Sequence, residues 1–97
     1  MNPYERERRL LEYYRQKYPA GTRIELIQMT DDPWPVEPGT RGTVVHVDDM
    51  GQIEMHWDNG RSLSLVPGKD SFRVLSPEEV NSETHAASFE SVGPTLS

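Results

Sequence analysis

Ninety-seven residues with a formal net charge of −6 and no cysteine can build one small core, but no disulfide scaffold, cysteine zinc site or thiol nucleophile. The charge is uneven, with +2 on residues 1–18, −4 on 19–75 and −4 on 76–97, and so acidic a body argues against a broad phosphate-tracking surface. No apolar run reaches membrane-spanning length and the N-terminus reads as charged helix rather than signal sequence, so a cytoplasmic protein without membrane contact is expected.

Asn2-Pro3-Tyr4-Glu5 is a helix start: Asn2 can cap, Pro3 takes the first helical position and Glu5 follows three residues after the cap. Nothing breaks the helix before Lys17, and Pro19-Ala20-Gly21 ends it. Tyr4, Leu11, Tyr14 and Tyr18 share one face with Leu10 beside them, a stripe that either packs on the rest of the domain or docks on another chain. Arg6, Arg8, Arg9, Arg15 and Lys17 interleave with Glu5, Glu7 and Glu12, and spacings of four, as between Glu5 and Arg9, predict a solvated, self-paired face.

A first strand is expected in Thr22–Met29, with Ile24 and Leu26 on one side and Arg23 and Glu25 on the other; the adjacent Leu26-Ile27 predicts two-sided burial or a bulge. Pro33, Pro35 and Pro38 exclude a paired strand from the following stretch, which becomes a long, stiff loop holding Trp34 at a definite place. Three apolar runs then form a meander: Val44–Val47, Ile53–Trp57 and Leu63–Val66, separated by Asp48-Asp49-Met50-Gly51 and Asp58-Asn59-Gly60, both strong hairpin signals. A bulge in the first run would turn Val44 and Val47 inward together. In the middle strand Ile53, Met55 and Trp57 alternate with Gln52, Glu54, His56 and Asp58, so one face is buried and the other wet. Pro67–Ser71 reads as a turn, and Phe72–Leu75 as a closing strand with Phe72 and Val74 inward. The expected fold is thus mainly β: a small five-stranded barrel over residues 19–75, an N-terminal amphipathic helix over 1–18 and an acidic, disordered tail over 76–97. Ser76-Pro77-Glu78-Glu79 could start one further helical turn.

Trp57 belongs in the core with Ile53 and Met55, whereas Trp34, between prolines, either folds back over the barrel mouth or stands exposed for binding. His46 and His56 could face each other across the first hairpin with Glu54 and Asp58 nearby, but polar residues on a solvent-facing sheet explain them equally well, and no metal is expected. No nucleophile elbow and no glycine-rich phosphate loop occurs, so neither catalytic residues nor a cofactor are expected and the chain reads as a non-enzyme.

The long first loop, the meander, the short closing strand and the Gly-Thr-Val-Val…Trp-Asp-Asn-Gly run resemble the SH3-like barrels, including KOW modules. More narrowly, Tyr18-Pro19-Ala20-Gly21-Thr22-Arg23-Ile24, Pro38-Gly39-Thr40-Arg41-Gly42-Thr43-Val44 and Trp57-Asp58-Asn59-Gly60-Arg61-Ser62-Leu63 resemble a domain-of-unknown-function family of that fold, met in bacteria, their phages and conjugative elements. The resemblance covers residues 18–75, leaves the helix and tail outside, and implies a phage or mobile-element accessory setting. In SH3-like domains the long first loop lines a peptide groove, and here it carries Asp31, Asp32, Trp34 and Glu37, which implies a basic or proline-rich ligand. The loop lacks the paired tyrosines of a proline-binding groove, which argues against the second.

The leading expectation is therefore a protein-interaction module that meets a basic partner surface with Asp31, Asp32, Trp34 and Glu37 and with Glu54 and His56 of the exposed meander face. Inhibition of a host defence protein is its specific form. The alternative is a KOW-like nucleic-acid-binding module using Arg6, Arg9, Arg41, Arg61 and Arg73.

Overall fold

Asn2 does cap the first helix, its side-chain oxygen accepting the Glu5 N–H at 2.8 Å, and Pro3 opens α1 over Pro3–Lys17. The computed structural model describes residues 2–30 and 32–84. After α1 come β1 (Arg23–Gln28), β2 (Arg41–Val47), β3 (Ile53–Trp57) and β4 (Ser71–Val74), joined antiparallel in the order β3-β2-β1-β4. Residues 77–84 form a further helix, α2.

The sheet is open, with β3 and β4 at its two edges, so the domain is a small α+β fold rather than a closed five-stranded barrel. The fifth strand is missing because Leu63–Val66 makes only one bridge, Leu65 to Ile53, through a reciprocal pair of 2.8 Å hydrogen bonds. On one side of that bridge a side chain takes the backbone group the ladder would need next, and on the other the chain enters the turn at 67–69. Trp57 Nε1 donates to the Leu63 carbonyl at 2.8 Å, and the Asp70 carboxylate accepts the Val66 N–H at 2.8 Å.

Two bulges decide which side chains face inward. The register slips between Leu26 and Gln28, turning Ile27 out to solvent, and again between Val44 and His46, so that Val44 and Val47 are both buried and Val45 is exposed. The middle strand alternates as expected, with Ile53, Met55 and Trp57 buried. Val74 departs from expectation: at the sheet edge it is 44% exposed, while Leu75, next along and on the opposite face, is buried outside the core cluster.

The core gathers Trp57, Ile24, Leu26, Ile53, Leu65, Val36 and Val44, with Tyr18, Met29, Val47 and Met55 around them. Gly42 stands opposite Trp57 in the β2–β3 register, and a Cβ there would lie 2.8 Å from Trp57 Cε3 and 3.0 Å from the His56 carbonyl oxygen. Glycine is what lets the indole lie against the β2 backbone. In the hairpin that follows, Gly51 takes φ 79°, and Asp48 Oδ1 accepts the Met50 and Gln52 N–H groups, each at 2.9 Å.

The lower half of α1 packs on its own domain: Leu11 and Tyr14 lie against the core, and Tyr18, just past the helix, meets Phe72 edge-on at 5.6 Å. Arg15 fastens the contact by bonding Asp49 at 2.7 Å and the Val47 carbonyl at 3.4 Å. Tyr4 and Leu10, from the same stripe, remain exposed.

Candidate protein-interaction site

The proline loop is stiff for reasons beyond its prolines. Val36 is driven into the core, its N–H directed at Met29 Sδ at 3.4 Å, while Gly39 N–H reaches the Leu26 carbonyl at 2.7 Å and closes the loop onto β1. On the other side Arg61 spends its guanidinium on the loop backbone, donating to the Pro35 carbonyl at 2.8 Å and to the Trp34 carbonyl. Asp32 Oδ1 accepts the Trp34 N–H at 2.8 Å. The Trp34 backbone is thus held by side chains at its N–H and its carbonyl, yet its side chain is 78% exposed and does not fold back over the sheet. Glu37 is exposed on the same loop, and Asp31 lies outside the described residues.

The sheet face opposite the core holds a charge network. Arg23 of β1 bonds Asp58 at 2.8 and 2.6 Å and Glu83 at 3.0 and 2.6 Å. Arg73 of β4 bonds Glu79 at 2.8 and 2.6 Å and Glu25 at 3.2 Å, and Arg41 of β2 reaches Glu25 at 3.1 Å. The Arg73 guanidinium and the Ser76 N–H hold the Glu79 carboxyl at about 2. Glu25 is lowered by Arg41 and Arg73, Asp58 by Arg23, and Glu83 by Arg23 and then Arg41. Two of the arginines expected to meet phosphates, Arg41 and Arg73, are therefore already engaged by carboxylates, and Arg61 by carbonyls.

Glu54 and His56 lie on this polar side of β3, away from the proline loop in the chain. The Val44/His46 bulge sets His46 opposite Glu54, at 3.2 Å, and His56 opposite Thr43, so the two histidines do not face one another. Among the described residues no three His, Asp or Glu side chains cluster as metal ligands, and no helix is long and apolar enough to cross a membrane. Arg6 and Arg9 project from the exposed side of α1, and among the described residues no ion pair joins Glu5 to Arg9, so that face is solvated but not self-paired. Between the upper half of α1 and the β2–β3 turn runs an apolar groove of about 540 Å³, lined by Tyr4, Leu10, Tyr14, Met50 and Pro67 among others.

Sequence reasoning missed Glu79 and Glu83 as partners of the sheet arginines. The capping-box signal was there: Ser76 Oγ accepts the Glu79 N–H at 3.1 Å, and Glu79 accepts the Ser76 N–H at 3.0 Å. It marks a helix start but says nothing of where the helix docks. Instead of a single turn within an acidic tail, residues 77–84 form α2; residues 85–97 of the expected tail lie outside the described residues.

No curated protein matches the chain. Residues 7–75 match the family described as "Domain of unknown function (DUF4314)", a span that reaches back into α1, beyond the resemblance read from residues 18–75, and stops before α2. With that match covering well over half of its length, the chain belongs to the DUF4314 family.

Proposed function

We propose that this domain is a non-enzymatic protein-interaction module whose contact centres on Trp34, with Asp31, Asp32 and Glu37 supplying acidic groups toward a basic partner surface. One observation carries the reading: an exposed indole on a backbone fixed by Asp32, Arg61 and the buried Val36. A large aromatic left in water gains nothing for the isolated fold, and a fixed backbone lowers the ordering cost of inserting it into a partner's pocket. Glu54 and His56 form a second, polar contact area on the meander. The resemblance to a family met in phages and mobile elements gives the proposal its specific form: occupation of a host defence protein.

Capture from a bacterial lysate, with and without nuclease, by the native chain and by Trp34→Ala tests the reading. A partner retained after nuclease treatment and lost with Trp34→Ala is the expected result. Titration of that partner should show faster dissociation for Trp34→Ala, and slower, less salt-sensitive association when Asp32 and Glu37 are neutralised. The nucleic-acid alternative draws on Arg6 and Arg9, which stand exposed on α1. Capture abolished by nuclease and by loss of these arginines, but not by Trp34→Ala, would favour it instead.

A further inference from the structure

Arg23, Arg41 and Arg73 stand on three neighbouring strands of one sheet face, and α2 lies across them. Glu79 and Glu83, four residues apart and so on one side of the helix, provide the contact: Arg73 and Arg23 hold one carboxylate each in a two-bond fork, while Arg41 reaches both, at 3.6 and 3.4 Å. Along 77–84 only Glu79, Val80 and Glu83 are less than fully exposed. A single valine is a small apolar anchor on the helix, so the contact is made mostly by charge; each partly exposed ion pair is weak alone, and it is the set of them that holds α2 down. The arginines also lie inside the residues that match the family, whereas α2 lies beyond them.

We infer that Arg23, Arg41 and Arg73 form an anion-binding face that α2 occupies in cis, and that the partner it fits in trans is an acidic protein helix presenting two carboxylates one turn apart. This surface is separate from Trp34, and the inference does not rest on the reading of that loop. With α2 lifted, the three arginines keep Glu25 and Asp58 among them, at 3.1 Å from Arg41 and 2.6 Å from Arg23. Those two carboxylates orient the guanidinium forks and repel a continuous phosphate backbone, while leaving room for discrete carboxylates at the positions Glu79 and Glu83 now fill.

The test compares the native chain with Glu79→Gln/Glu83→Gln, using a synthetic peptide of residues 76–84 as probe in an NMR titration at about 20 mM salt. Removing the cis competitor should tighten peptide binding by about tenfold or more, because a site that is mostly covered binds in proportion to its uncovered fraction. The shifts should centre on Arg23, Arg41 and Arg73, and a further Arg41→Gln/Arg73→Gln change should abolish them. In the native chain, raising salt to about 500 mM should speed amide exchange over 77–84 while leaving Ile53–Trp57 unchanged, a readout that stands even if the double variant folds poorly. Equal peptide binding by both chains, or α2 amides indifferent to salt, would overturn the inference. Stronger binding of a short single-stranded oligonucleotide than of the peptide would overturn the choice of an acidic helix and give the face to nucleic acid.

Discussion

The two faces of the sheet are built from alternate residues of the same strands and are held by opposite physics. On one side Ile24, Leu26, Val44, Met55 and Trp57 are buried in a dense apolar layer, whose attraction is non-directional and not weakened by charge screening. On the other, Arg23, Glu25, Arg41 and Asp58 bond one another and the helix above them through directional, charge-assisted contacts that salt and acid dissolve. The apolar face decides whether the chain folds. The polar face decides what the folded chain responds to, and the Trp34 side chain, on the proline loop, belongs to neither.

The largest loss is expected at Trp57. Trp57→Ala should cost about 3–5 kcal/mol, a large part of what so small a domain possesses, and leave a chain without a cooperative thermal transition. A melt within a degree or two of the native one would place the indole outside the core. Gly42→Ala attacks the same face from the backbone side: its methyl would press on Trp57 and on the His56 carbonyl, at a cost of about 1–3 kcal/mol, seen as a lowered melting temperature.

Of the two faces, acid reaches only the second. The groups facing Glu79 and Glu83 are Arg23, Arg41 and Arg73, with Glu25 and Asp58 interleaved on the sheet. Glu79 is lowered from an ordinary 4.5 to about 2, and Glu25, Asp58 and Glu83 are lowered as well. Groups depressed in the folded state stabilise it fully above their ordinary value and lose that contribution as pH falls through the folded one. Between about pH 4.5 and 2, amide exchange over 77–84 should therefore accelerate well before that of β3. Simultaneous loss of both would show that the faces do not separate.

Trp34→Ala should move stability least, by less than about 0.5 kcal/mol, because the indole gives up almost no contact within the domain. Thermal melts should overlay. A clear drop would mean that the loop side chain supports the fold and is not reserved for a partner.

How much of this the sequence disclosed follows from the range of each interaction. Local signals were legible: the Asn2 cap, the β2–β3 hairpin and the turn after Trp57, the alternation of Ile53, Met55 and Trp57, and the bulge that turns Val44 and Val47 inward. The extra strand at Leu63–Val66 was misread because its composition suits a ladder, while the group that pre-empts that ladder is the Trp57 indole, which takes the Leu63 carbonyl. The charge network was invisible for a related reason. Arg23 and Glu83 are sixty residues apart, and no spacing rule connects them. For Trp34 the sequence left two positions open, and exposure was settled by Arg61, whose hold on the Trp34 and Pro35 carbonyls has no local signature.

The contrast between the two tryptophans has a practical side. Trp57 is 0% exposed with its indole N–H bonded inside the fold, whereas Trp34 is 78% exposed, and the chain contains no others. Excited beyond the tyrosine absorption, the unlabelled protein therefore carries two tryptophan fluorophores in different surroundings. A soluble quencher such as iodide should silence Trp34 and spare Trp57, so that one emission reports on surface occupancy and the other on the integrity of the interior, in the same cuvette.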